Sequence, residues 1–223
     1  MDSKDQEKSD PNALMDELKK AHERAHCDDT GPSNEQEMQA GLVYSSFQKA
    51  VMGLIADGAD PSMIELALFY HWLRFITLIH RCTDSQFEHL SARMQDIMQA
   101  LVLRLKEIAS EITDDGPSEN MKELGLKVQA IKDLFHQGKR KSVEDVHAQA
   151  EKINLTLFGL AGSFLEAELN PLLLQNALLY FWLRTSTINS PDADERLFQK
   201  LERNWPEVVN KVDEFFTTWR QAN

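Results

Sequence analysis

Apolar residues return every three or four positions through most of the chain, the period at which side chains share one face of an α-helix. The clearest run is Phe87, Leu90, Met94, Ile97, Met98, Leu101, Leu105 and Ile108. It predicts an amphipathic helix over 84–112, opened by Thr83 and Gln86 in a capping box, where each side chain bonds the other residue's backbone. Residues 61–81 are instead apolar almost all round, the pattern of a helix enclosed by others. Asp60 before it can cap the helix, and Pro61 suits a first helical position.

The same reading places helices over 12–27, 35–57, 118–137, 142–168, 171–188 and 192–221. Segments rich in Gly, Pro, Asp and Ser interrupt them at 28–33, 58–60 and 113–118. Gly53 inside 35–57 suggests a close helix approach. Pro206 is expected to kink or split the last helix, because it lacks a backbone donor and crowds the preceding turn.

Residues 61–78 and 171–188 are near copies. Eight of their eighteen positions are identical: Pro, Ala, Leu, Tyr, Trp, Leu, Arg and Thr. Internal duplication is the economical explanation. Met15 to Leu18 and Met121 to Leu124 match at an offset of 106, as do Gly53-Leu54 and Gly159-Leu160. The offset then becomes 110, which predicts that helix 142–168 runs one turn longer than its counterpart. At 111 the apolar stripe of 84–112 falls on Phe198, Leu201, Trp205, Val208, Val209, Val212, Phe216 and Trp219. The expected fold is all-α, a tandem duplication of a four-helix unit forming a pseudo-twofold bundle. Residues 1–11 are a mobile acidic tail, 12–114 the first repeat and 115–223 the second, packed as one body.

Composition narrows the function classes. With 42% hydrophobic and 27% charged residues in a chain of 223, the protein is expected to fold around a sizeable core. The first residues lack the apolar stretch of a signal peptide, and nowhere do eighteen apolar residues run uninterrupted, so a cytoplasmic protein without a membrane segment is expected. Two cysteines are too few for a disulfide framework. A net charge of −12 argues against nucleic acid and anionic lipid as partners. The basic run Lys139-Arg140-Lys141 reads as a solubilising connection.

The candidate binding residues are Tyr70, Arg74 and Thr77, with Tyr180, Arg184 and Thr187 at the matching positions. Their spacing puts each trio on one helical face, offering a phenol, a guanidinium and a hydroxyl in line. A scaffold role would tie each Arg to a carboxylate or backbone carbonyl in its own half, whereas a recognition role would leave a guanidinium reachable and short of partners. Trp72 and Trp182 read as core residues whose indole N–H groups need acceptors. His71 reads as a hydrogen-bonded core histidine. His22, His26 and Cys27, and His80, Cys82 and His89, have spacings compatible with a metal, but a structural reading outweighs it and no metal or cofactor is expected. Met94 and Met98 suit core packing or an adaptable groove. No phosphate loop, nucleophile elbow or zinc-protease motif is present. The expected function is non-enzymatic: an adaptor, chaperone-like or inhibitory module holding a protein partner in a helical groove, with homo-oligomerisation open. The alternative is a small-ligand or cofactor-binding bundle, or an enzyme, with a pocket lined by Tyr70, Arg74, Tyr180 and Arg184.

Overall fold

The structure, a computed structural model, describes residues 34–110, 142–189, 199–201 and 203–222. The tail 1–11, the helices expected at 12–27 and 118–137 and the connection at 113–118 lie outside them. The described residues outside turns are helical. Seven helices are α1 (Asn34–Ala56), α2 (Pro61–Ile79), α3 (Asp84–Ala92), α4 (Met94–Ser110), α5 (Val143–Glu166), α6 (Pro171–Asn189) and α7 (Trp205–Ala222). A short helical piece around Leu201 precedes α7.

At the centre α2 lies against α6. Glu65 near the start of α2 accepts a hydrogen bond from Asn189 at the end of α6, 2.9 Å, so the two helices run antiparallel. Between them Trp72 and Trp182 stack with ring centroids 6.3 Å apart, and Phe69 meets Trp182 at 4.8 Å. The α7 side chain Phe216 packs edge-on to Trp72 at 5.5 Å. All four side chains are sealed from solvent. Around this pair α1 packs on α6 and α5, and α5 packs on α2 and α1. Lys152 to Asp57, 2.8 Å, and Gln149 to the Gly58 carbonyl, 3.1 Å, hold the start of α5 beside the end of α1. By length and composition α2 could cross a membrane, but over half of its residues are buried among these neighbours.

Local sequence explains the boundaries. Asp60 caps α2 through the Ser62 N–H, and Asn170 caps α6 through the Leu172 N–H, each at 2.9 Å. The α1–α2 turn closes with Gly58 N–H to Ile55 and Ala59 N–H to Leu54. The α5–α6 turn repeats this with Glu168 to Leu165 and Leu169 to Phe164. Both are the motif in which a left-handed residue ends a helix. Gly58 has φ 80, free of side-chain strain, whereas Glu168 adopts φ 55 with a Cβ attached.

Several expectations change. The helix predicted over 84–112 is two: Arg93 leaves helical geometry at φ −105, ψ 17, and α4 starts afresh at Met94. No Gly or Pro marks that break. Leu90 is buried before it and Ile97 after it, so the bend keeps both segments against the core. In the second half the chain breaks at Asn204, and Pro206 sits in the first turn of α7, where its missing N–H is not needed. Helix α5, at 24 residues against 23 for α1, does not run a turn longer. A single offset of 110 aligns both turns. It also aligns the buried Val43, Phe47, Val51 and Leu54 with the buried Ile153, Leu157, Ala161 and Phe164. The Gly53-Leu54 match at 106 is therefore out of register with the packing. Among the described residues nothing lies within 4 Å of the place a Gly53 Cβ would take, so no described helix approaches it closely.

Trp72→Ala or Trp182→Ala should destabilise the protein by about 3 to 5 kcal/mol in urea unfolding, because each removes a sealed ring from the central contact. A variant with the wild-type midpoint would contradict the central placement of the α2–α6 pair.

Candidate functional site

The tyrosine and arginine stripes sit on α2 and α6. Thr77 donates its hydroxyl to the Arg74 carbonyl, 2.9 Å, and Thr187 to the Arg184 carbonyl, 2.8 Å, so both hydroxyls are taken up by their own helices. The Arg74 guanidinium lies over the Phe87 ring of α3, 4.2 Å from its centroid, a cation–π contact in place of the carboxylate or backbone carbonyl expected of a scaffold role. Tyr70 meets Phe87 and His71 edge-on. The Tyr180 hydroxyl is 2.9 Å from the Tyr44 hydroxyl of α1, and its ring meets Trp205 at 6.1 Å. Arg184 is half-buried. Phe87 and Trp205 thus give the two stripes different surroundings, and none of the cavities considered below joins Tyr70 with Tyr180 or Arg74 with Arg184.

A second difference lies one position along. Residues 71 and 181, and 44 and 154, are both pairs 110 apart. Tyr44 packs on Phe181 at 5.2 Å. On the other side the corresponding partners are Asn154 and His71. There a cavity of about 220 Å³ opens, lined by Met63, Leu66, Tyr70, Met94 and Asn154 among others. His71 is buried, and its Nε2 has no hydrogen-bond partner among the described residues. Burial pushes its pKa down, and the interaction with the Asn154 amide offsets part of the fall.

The largest apolar concavity considered lies between α4 and α7, about 540 Å³. Leu101 and Leu105 of α4 face Val208, Val212, Phe215 and Trp219 of α7 across it. Its rim holds Arg104, bonded to Glu107 at 2.8 Å, and Lys211, facing Glu214 at 3.4 Å. The apolar periodicity of 84–112 and 192–221 had marked Leu101, Leu105, Val208, Val212 and Trp219 as core, and the first four are buried, so the concavity opens over core side chains. Met94 and Met98, the residues suited to an adaptable groove, do not line it, and Phe215 lies outside the predicted stripe.

Polar chemistry collects elsewhere. His80 at the end of α2 places Nε2 3.0 Å from the Asp213 carboxylate of α7, with its ring stacked on Phe216. This pairing, joining residues 133 apart, had no sequence signal. Burial raises the Cys82 thiol pKa, and nearby Arg220 counters it in part. Among the described residues no three His, Cys, Asp or Glu side chains form a metal-binding group. His22, His26, Cys27 and the run 139–141 lie outside those residues. The Trp72 and Trp182 indole nitrogens are buried, and among the described residues they lack the acceptors expected for them. Compared with protein-family models, curated proteins and solved structures, the chain matches none.

Arg74→Gln should cost no more than about 1 kcal/mol, since it removes a cation–π contact and strands no carboxylate. A loss of several kcal/mol in urea unfolding would point to an ionic partner instead. For His71 the sign follows from burial. Its folded-state pKa lies below the unfolded value of about 6.5, so its contribution is present above that pH and fades as the pH falls toward the folded-state value. His71→Phe, which installs the residue found at 181, should flatten the stability profile below pH about 6.5. An unchanged slope in paired urea titrations would show that His71 is not the responsible group.

Proposed function

We propose that the chain is a duplicated, pseudo-twofold helical scaffold with a non-enzymatic role, holding an amphipathic helix of a protein partner in the α4–α7 groove. The duplication is supported by correspondences at the single offset of 110: the two turns, the two caps, the two threonine hydroxyl bonds and the buried positions of α1 and α5. It is also supported by the exchange of partners, α1 on α6 and α5 on α2, around a self-paired α2–α6.

The observation that carries the binding role is the groove itself. It lies between counterpart helices of the two halves. Its floor is apolar, its rim carries charges of both signs, and it has the shape into which a helix lays residues spaced i, i+3/i+4 and i+7. A net charge of −12 favours a partner helix with basic flanks, which long-range attraction would steer toward the protein. Exposed Leu42, Met52, Leu155 and Phe158 on α1 and α5 offer further apolar surface beyond the groove. A cytoplasmic place of action belongs to the same proposal, resting on the low cysteine count.

The test uses a photo-crosslinking amino acid at exposed Ala100 or Thr218 on the groove wall, in cells of the native host, with the crosslinked peptide sequenced. The expected product is a segment of another protein with apolar residues at helical spacing and Lys or Arg beside them. Ala100→Trp, which fills the groove from an exposed position and leaves the core intact, should reduce its capture at least tenfold without changing the melting curve. Crosslinking to a second copy of this chain, or capture unaffected by Ala100→Trp, would overturn the proposal.

A further inference from the structure

The two ends of the α2–α6 pair are built from positions 110 apart, yet they differ. At one end Asn189 donates to Glu65 and closes the contact. At the other the corresponding residues are Ile79 and Gln175, which cannot do so: an isoleucine has nothing to offer an amide. Gln175 is 5% exposed, and its side chain has no hydrogen-bond partner among the described residues. A buried amide left unpaired is unfavourable unless a ligand or water satisfies it. Here it lies on the wall of a cavity of about 530 Å³ between the end of α2, the start of α6 and α7. That volume is within the range of small-molecule sites.

The charges around this cavity are unlike those of the protein as a whole. The Asp213 carboxylate is engaged by His80 at 3.0 Å. Arg220 reaches back to the His80 carbonyl at 3.4 Å, which fixes its guanidinium beside the end of α2. Arg81 also lines the cavity, and its guanidinium has neither an ion pair nor a hydrogen bond among the described residues. Its backbone is left-handed, φ 55, with Arg81 N–H bonded to Leu78 and Cys82 N–H to Thr77. Gly58 fills the equivalent position at the end of α1 without strain, so an arginine here accepts a conformation that disfavours every residue with a Cβ. Strain of this kind at a cavity rim is a recurrent mark of a working residue.

We infer that this cavity binds a small organic carboxylate. Arg81 presents its planar fork to the carboxylate, with Arg220 adding positive charge behind it. Gln175 and Asn176 supply amides for a second polar group on the ligand, and Ile79, Leu172 and Val209 line the space for its carbon body. Asp213 on the same wall disfavours a dianion such as phosphate. The site stands apart from the α4–α7 groove, and neither proposal depends on the other.

The probes are N-acetyl-L-leucine, 4-hydroxybenzoate and 2-hydroxyisocaproate, each beside its neutral carboxamide, with inorganic phosphate as the competing anion. The side-chain amide signals of Gln175 and Asn176 are followed by NMR at constant ionic strength. At least one carboxylate should give saturable shifts with a Kd below about 1 mM, and its carboxamide should bind at least tenfold more weakly. Arg81→Gly removes the fork and the strain together, so it should melt no lower than wild type while weakening the carboxylate at least tenfold. If that variant does not fold, Gln175→Leu carries the same expectation for binding. Absence of saturable shifts with all three carboxylates overturns the proposal. Equal affinity for the carboxamides, binding of phosphate alone, or undiminished binding in the variant does so as well.

Discussion

The stacked indoles of Trp72 and Trp182 are the contact on which the remaining structure depends. They fill the space between the antiparallel α2 and α6, and α1, α3, α5 and α7 each pack against one or both of these helices. A helix that is apolar on all sides cannot be left at a surface, so α2 must be covered by α5, by α6 and by the Phe216 side of α7. The two indole N–H groups have no acceptor among the described residues, which is unfavourable, and the surrounding apolar burial outweighs it. Dispersion and loss of hydrated apolar area therefore hold the centre, with polar pairing confined to its ends.

Around this centre, differences between residues 110 positions apart accompany the places where the molecule is closed and where it is open. Tyr44 against Phe181 fills one side, whereas Asn154 against His71 leaves a small cavity on the other. Asn189 with Glu65 seals one end of the pair, while Ile79 with Gln175 leaves the other unsealed.

The candidate residues show how local spacing and tertiary contact divide the outcome. Spacing of three and four put Tyr70, Arg74 and Thr77 on one face, and they are there. What that face meets was not encoded in it. Phe87 comes to Arg74 because the turn at 80–83, with Arg81 left-handed, folds α3 back beside α2. The His80–Asp213 pair has the same character, since its partners lie on helices that meet only after α7 docks.

By itself the sequence determined the helices and most of their ends, because those rest on short-range causes: apolar period, capping side chains at Asp60, Thr83 and Ser142, and a left-handed glycine at position 58. It also determined that α2 would be interior, since an all-apolar surface has no other stable place. Tertiary structure alone decided the break at Arg93, which no local residue signals, and the register of α1 against α5. Identical residues at an offset of 106 pointed one way there, and burial against shared neighbours settled on 110. It also decided where the apolar stripes of α4 and α7 leave an opening between their buried side chains. The reason is physical: a hydrophobic position records that a side chain avoids water, but whether a neighbour fills the space beside it depends on side chains far away in the chain.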